Sequence, residues 1–374
     1  MNSIELSKKF GGKIEIRSKV KLTKKTLPIL YTPGVAEVSR AIAKDKKLSK
    51  IYTIRKNTIA VISDGSAVLG LGNIGPEAAL PVMEGKALLL KELGGVDAIP
   101  IVLNTQDTEE IIKTIKNLSP TFGGINLEDI CAPRCFEIEE RLKKELDIPV
   151  FHDDQHGTAI VVLAGLINAL KVVGKNISKI KIVISGSGAA GIAIAKLLIK
   201  YGAKNIIMID RVGIIYKERD GGLNDSKKEI AKITNPENVR GNIRDALTEA
   251  DVFIGVSAPN ILTEEDISKM NKKAIVFAMA NPVPEITPER AASGGAYIIA
   301  TGRSDFPNQL NNVLAFPGIF RGALDNNVKK ITDEHKIKVA RAIASLIKTP
   351  KSGKIIPEAL DKRVAKKVAS VFKK

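Results

Sequence analysis

The chain has 374 residues, too many for one ordinary core, so two domains are expected. With 44% hydrophobic and 26% charged residues it reads as an ordinary globular protein, and its uncharged runs fall short of the roughly 20 apolar residues a membrane span needs. The formal charge is +17, but aromatics are only 4% and the basic residues are densest near the two ends, in KLTKK, KDKK and DKRVAKK; without stacking platforms the nucleic-acid class recedes behind a lysine-rich solvated surface that can attract anionic substrates.

MNSIELSKKF lacks the apolar stretch of a secretory signal. TIAVIS (58–63) is a strand, β-branched and closed by DGS. PVMEGKALLLKEL (81–93) has helical spacing and stops at Gly94-Gly95. DAIPIVLN (97–104) is strand-like, and DTEEIIKTIKNL (107–118) opens with an Asp cap and early acids, as a helix should. FGGINLED reads as strand then loop, PRCFEIEERLKKEL (133–146) as a helix begun by proline, and IPVFHDD as another strand. GTAIVVLAGLINALKVVG (157–174) is a long apolar helix that joins the two halves. KIVISGSGAAGIAIAKLLIKYGAKNIIMID then gives strand, glycine turn, helix, strand. DVFIGVSAP (251–259), AIVFAMANP (274–282) and YIIATG (297–302) add further strands ending in small-residue turns, and the chain after 330 is helical and basic. This alternation predicts an α/β protein: an N-terminal α/β domain over 1–156, a Rossmann-type doubly wound parallel sheet over 157–305, and C-terminal helices over 306–374 that return toward the first domain. The two cysteines, Cys131 and Cys135 in CAPRC, can build neither a disulfide framework nor a four-ligand zinc site, so a reducing, cytoplasmic setting is expected.

Gly186-x-Gly188-x-x-Gly191 follows a strand, opens a helix, and is followed 19 residues later by Asp210 at the end of the next strand. That is the full dinucleotide-binding context. The first glycine allows the tight turn, the second lets backbone approach a pyrophosphate, and the third lets helix and strand pack closely. Free N–H groups at the helix start face the phosphates. The expected cofactor contacts are Gly186, Ser187, Gly188, Ala189, Ala190 and Gly191, with Thr158, Asp210, Arg211, Ser257 and Asn281 around them. Asp210 suits the ribose of NAD, while Arg211 beside it can hold the 2′-phosphate of NADP, so both cofactors stay open.

FHDDQHGTA (151–159) places His152 and His156 four apart, with an acid between them. A zinc hydrolase needs both histidines inside one helix. Here the preceding IPVF is strand-like and the helix is expected to begin near Gly157-Thr158, so HDDQH reads as a turn and the zinc reading fails. Carboxylates at a strand end point into a cleft. Glu128-Asp129 also follow a strand, and together the two acid pairs offer an oxygen-rich site for Mg²⁺ or Mn²⁺. The alternative is that LED merely caps a helix; spacing alone favours neither.

YTPGVAEVSRAIA (31–43), SDGSAVLGLGNIGPEAALPVMEGKALLLKELGGVDAIP (63–100), GINLEDICAPRCFEIEERL (124–142), PVFHDDQHGTAIVVLAGLINAL (149–170), the glycine motif, ANPVPEI (280–286) and ATGRSDFPNQLNNVLAFPGIFRGALD (300–325) together resemble the malic enzyme family in its short bacterial and archaeal form. The resemblance implies oxidative decarboxylation of L-malate to pyruvate and CO₂ with NAD or NADP and a divalent metal. It implies Glu128, Asp129 and Asp154 as metal ligands, Lys86 and Tyr31 as catalytic residues, Asp153 as the acid paired with the lysine, and Asn281 and Asn312 as substrate-binding amides. It also implies a homodimer or higher homo-oligomer whose N-terminal segment can lend Tyr31 across an interface. The larger family members carry an arginine for the substrate carboxylate where this chain has Ala67, after Ser66. The competing readings are a metal-independent amino-acid dehydrogenase, which chelation would not inhibit, and a non-catalytic nucleotide-binding protein.

Overall fold

A computed structural model describes residues 2–68 and 70–373. The chain opens with an arm of short helices, α1 (Ser3–Phe10), α2 (Leu27–Leu30), α3 (Val35–Lys44) and α4 (Ser49–Tyr52), none of which buries a residue. Among the described residues, most of the exposed large apolar side chains fall between Ile4 and Ile54.

The first sheet is built from β1 (Thr58–Ser63), β2 (Asp97–Val102), β3 (Gly124–Leu127) and β4 (Val150–His152), in the order β2-β1-β3-β4 and all parallel. Helices α5 (Pro76–Gly94), α6 (Thr108–Leu118) and α7 (Arg134–Glu145) make the crossovers. All six residues of β1 are buried, as expected of a central strand in a parallel sheet covered on both faces.

Helix α8 (Asp153–Val173) follows β4 with no intervening loop. It starts four residues earlier than the sequence suggested. His152 takes the extended cap position, and Asp153 and Asp154 occupy the first turn, where the helix dipole favours negative charge. HDDQH is therefore a helix start rather than a turn. The helix is long and apolar enough to cross a membrane, with a mean hydropathy of 1.7, but 72% of that stretch is buried inside the protein. It is the central core helix. Midway along it the buried Asn168 donates to the carbonyls of Ala344 and Ile355, both at 2.9 Å, and ties the C-terminal segment to the core.

The second sheet runs β5 (Lys181–Ser185), β6 (Asn205–Asp210), β7 (Gly213–Ile214), β8 (Val252–Gly255), β9 (Ile275–Ala278) and β10 (Ile298–Thr301), in the order β10-β9-β8-β5-β6-β7. Only the β6–β7 pair is antiparallel. The order reverses at β5, the switch point where such sheets bind their ligands. Helix α9 (Ala189–Tyr201) follows β5, and four short helices, α10 (Asp225–Ala231), α11 (Ile243–Leu247), α12 (Glu264–Ser268) and α13 (Pro288–Ser293), fill the later crossovers.

Three C-terminal helices follow: α14 (Phe316–Asp325), α15 (Asp333–Ala344) and α16 (Arg363–Ala369). The tail is not continuously helical after 330. Between α15 and α16, Pro350, Gly353 and Pro357 interrupt the pattern, and a short Lys351–Lys354 bridge forms instead. α14 packs back on the first sheet: the Phe320 ring lies against Gly124 of β3 and edge-on to Phe151 of β4.

Candidate active site

The parallel register of β3 and β4 places Leu127 beside His152. The next residues on each chain, Glu128 and Asp153, therefore leave the sheet side by side at its carboxyl edge. Asp129 continues with a left-handed backbone, φ 55°, and its N–H donates to Asp154 Oδ2 at 2.7 Å. Carboxylate oxygens of Glu128, Asp129 and Asp154 lie within 4.8 Å of one another. Asn126 steadies Glu128 by donating to its Oε2 at 2.8 Å.

Lys86 reaches the same cluster from α5. Its Nζ donates to Asp153 Oδ2 at 2.6 Å and lies 2.9 Å from Glu128 Oε1. The ammonium sits over the Phe316 ring, 4.5 Å from its centroid, so α14 roofs the site. Lys86, Glu128, Asp129 and Asp153 are all buried. Gly157 makes room for this arrangement: a Cβ there would lie 1.9 Å from Asp153 Oδ1 and 3.0 Å from the Asn312 side chain. Asn312 is thereby placed beside the cluster.

Four acids face one lysine, and the electrostatics follow. Burial pushes Glu128 up to about 7, with Asp154 adding to the shift against the pull of Lys86. Burial pushes Asp153 up to about 7 as well; Lys86 opposes and Glu128 adds. Asp154 is raised by burial and Asp153. For Lys86, burial disfavours the charge, but Asp153, Glu128 and Asp154 outweigh it and hold the ammonium protonated. Excess negative charge on hard oxygen donors suits a small divalent cation, and the residues present fit Mg²⁺ or Mn²⁺.

The His152 backbone N–H and the His156 ring turn to another acid. Glu139 of α7 accepts the His152 N–H at 3.0 Å, lies 2.8 Å from His156 Nε2, and pairs with Lys143 at 2.6 Å. Burial drives His156 down to about 4, so it is neutral at pH 7. His156 stands outside the acid cluster, whereas the buried His152 ring lies at its edge, with Nδ1 3.7 Å from Asp154 Oδ2.

At the second sheet, the turn after β5 leaves no room for side chains. A Cβ at Gly186 would lie 2.6 Å from Val256 O, and one at Gly191 only 1.8 Å from Gly186 O. Gly188 caps α9 without a side-chain bond, leaving the first N–H groups of the helix free for phosphate oxygens. Ser187, Ala189 and Ala190 line this turn half-buried, and Thr158 sits half-buried in the second turn of α8. Asp210 ends β6, with Arg211 exposed beside it. The Asp210 carboxylate is already crowded: Arg219 donates at 2.9 and 2.6 Å, Lys227 at 2.7 Å and the Val212 N–H at 2.9 Å. These donors overcome burial and hold it well below the usual carboxylate range. Arg219 and Lys227, 9 and 17 residues downstream, carry no local signal in the sequence.

Ser257 and Asn281 follow β8 and β9. A buried acid that the sequence reading passed over, Glu285, locks both turns by accepting the N–H groups of Ser257 at 2.9 Å and Ala280 at 3.0 Å. Asn281 lies against Gly302, whose Cβ would be 2.9 Å from its Nδ2.

Two family models match the chain: the malic enzyme N-terminal domain over residues 11–143 and the malic enzyme NAD-binding domain over residues 155–373. The chain belongs to the malic enzyme family. It is 57% identical to the bifunctional malic/malolactic enzyme of Bacillus subtilis, covering 100% of this chain and 92% of that protein. It is likewise 57% identical to the NAD-dependent malic enzyme of Geobacillus stearothermophilus, covering 96% and 75%. The crystal structure of the NAD-dependent malic enzyme from Thermotoga maritima superposes with a TM-score of 0.97 at 52% identity, covering 100% and 99%.

Seen as a malic enzyme, the chain has one further unforeseen feature. In the loop after β1, Ser66 Oγ donates to Asp64 Oδ1 at 2.5 Å and accepts the Cys131 N–H at 2.9 Å, while the Ala67 N–H donates to Asp129 O at 2.9 Å. Arg134 donates to Asp64 Oδ2 at 2.9 Å, and its buried Nε finds no partner among the described residues. Tyr31 stands apart from all of this. It caps α2 in the arm, is 67% exposed, and its hydroxyl makes no hydrogen bond among the described residues.

Proposed function

We propose that this chain oxidises L-malate at C2 and releases CO₂ to give pyruvate, using NAD or NADP, with Glu128, Asp129 and Asp154 holding Mg²⁺ or Mn²⁺. The observation that carries this reading is the carboxylate trio gathered within 4.8 Å beside a buried lysine, in a chain of this family. When bound, the divalent ion would supply Lewis acidity to the substrate and the nicotinamide would serve as the hydride acceptor.

The chain's own residues handle the protons. Lys86 Nζ takes the C2 hydroxyl proton as it passes its own to Asp153 Oδ2, 2.6 Å away. Asp153 is fit for this because its carboxyl is pushed up to about 7 by burial. Asn281 and Asn312 orient the substrate through their amide groups. Arg134, tied into the loop that carries Ala67, supplies positive charge to the substrate carboxylate. Tyr31 Oη delivers the proton to C3.

Tyr31 belongs to an arm with no buried residue in its helices, and the exposed apolar side chains of α2 and α3 support a homodimer or higher homo-oligomer in which a second copy packs around Tyr31 and receives its side chain. The free thiols of Cys131 and Cys135 are in keeping with a cytoplasmic setting. Absorbance at 340 nm tests the reading: malate-dependent reduction of NAD or NADP, dependent on Mn²⁺ and abolished by EDTA, is expected. Turnover that survives chelation would return the chain to the metal-independent dehydrogenases.

A further inference from the structure

A large cavity lies far from these residues. It encloses about 1160 Å³ and is bordered by Asn57, Gly123 and Pro149, the residues immediately before β1, β3 and β4. It therefore opens at the amino edge of the first sheet. The acid cluster sits at the carboxyl edge, a strand length of roughly 20 Å away.

The lining is strongly cationic. Eight basic side chains border the cavity against two acids, Asp147 and Asp325. Both acids are engaged by arginines: Arg321 grips Asp325 at 2.5 Å, and Arg55 lies 3.8 Å from Asp147. Lys46, Lys47, Lys50, Lys56 and Lys329 have no carboxylate within 4.0 Å among the described residues. Lys50 is half-buried, and its charge is disfavoured first by burial, then by Arg55 and Lys329, against the pull of Asp147. Clustered cations that outnumber the acids among them repel one another, and a bound anion relieves that repulsion. The lining also has an apolar part, which includes Pro120, Pro149, Leu324 and Val328.

We propose that this basin is a second ligand site that binds an oligophosphate group, with Lys50 and Lys329 at its centre and Lys46, Lys47 and Lys56 around it. Five unpaired ammonium groups call for a multiply charged anion, and lysines serve phosphate oxygens as point charges. The group can come from a nucleoside triphosphate, whose base has the apolar part of the lining to lie on, or from inorganic oligophosphate. An occupant fixes residues 46–56, the segment that joins the arm carrying Tyr31 to β1.

Calorimetric titration of the intact protein with tripolyphosphate and with ATP tests this, with NAD saturating and no divalent ion present. Saturating NAD blocks the dinucleotide turn, and omitting the ion avoids chelation by the titrant. The expected result is one site per chain that weakens between 50 and 200 mM salt, as screening of about an 8–10 Å Debye length dictates. Lys50→Met combined with Lys329→Met should weaken binding at least about tenfold, given the strength of charge-assisted contacts, with the ligand-free malate turnover unchanged. Lys46→Met with Lys47→Met, both exposed, serves as a second variant should the first fail to fold. Tighter binding of ATP than of tripolyphosphate assigns a nucleotide; equal affinities assign inorganic oligophosphate. No heat with either titrant, displacement by NAD, or unchanged affinity in a folded variant overturns the site. The binding readings do not depend on malate turnover, so failure here leaves the proposed reaction untouched.

Discussion

Two buried charge clusters flank the start of α8, and they behave in opposite ways. On one side Asp153 and Asp154 join Glu128, Asp129 and Lys86, with more acid than base, and the acids are pushed upward. On the other side Glu139 meets the His152 N–H, His156 and Lys143, and these partners overcome its burial to hold it well below the carboxylate range. Asp210, gripped by Arg219 and Lys227, repeats the second pattern. A compensated buried acid is a structural joint. An uncompensated one stores electrostatic strain that a cation relieves, and perturbed groups of that kind mark chemistry. The motif HDDQH thus divides between the two clusters, its aspartates toward the proposed reaction and its second histidine toward structure.

The sharpest way to break this contrast is to remove the one base of the uncompensated cluster. Lys86→Ala should lower kcat by about a thousandfold or more, the scale of a lost general base, while NAD binding, followed by fluorescence quenching, stays near normal. Near-normal turnover would show that the proton leaves by another route.

Asp154→Asn comes next. It should weaken Mn²⁺ binding by about a hundredfold, judged against the effects of changing metal-site residues, in a calorimetric titration. The same cluster predicts a pH dependence. Glu128 and Asp153 have folded pKa values raised to about 7 from 4.5 and 3.8, so their contribution to stability is complete below the unfolded values and is lost as pH rises toward 7. The metal-free protein should therefore lose thermal stability from pH 5 to pH 8, and Mn²⁺ should raise Tm more at pH 8 than at pH 6. A flat Tm profile without metal would mean the acids are compensated after all.

Much of this was legible in the residues, and the reason is local. The glycine turn, its strand and its helix are contiguous, and each glycine answers a steric demand within a few residues. The acid pairs follow strands whose β-branched content is plain. What stayed hidden depends on pairing between distant segments. That Glu128 stands beside Asp153 follows from the β3–β4 register, which no single segment encodes. Glu139, Glu285 and Arg134 sit among ordinary charged residues in the sequence and become joints only when the sheets place backbone N–H groups or Asp64 in front of them. The early start of α8 was missed because IPVF and HDD read as one extended run, whereas the acids in fact supply the first turn.

On the compensated side, Glu139→Gln should cost about 3 kcal/mol of stability at pH 7, the scale of breaking a buried pair by removing one partner, measured by urea unfolding. Because the Glu139 pKa is depressed, its contribution is present above the unfolded value of 4.5 and fades as pH falls below it; the gap between variant and wild type should narrow in acid. Lys227→Ala tests the other compensated acid. If Lys227 faces a 2′-phosphate while neutralising Asp210, NADP kcat/KM should fall about tenfold, the value of one charge-assisted contact, and NAD kcat/KM should hardly move.

The smallest effect is expected where the two clusters come closest in sequence. His156 lies two residues from a proposed metal ligand, yet its Nε2 is turned to Glu139 and it is neutral at pH 7, with its pKa driven down to about 4. His156→Gln keeps a hydrogen-bonding group against Glu139. It should leave Mn²⁺ affinity and kcat within about twofold of wild type, the scale of a group that touches neither the ion nor the substrate, whatever it costs in fold stability. A large loss of metal affinity in this variant, with the fold intact, would erase the line drawn between the two faces of the motif and bring the histidine back among the ligands.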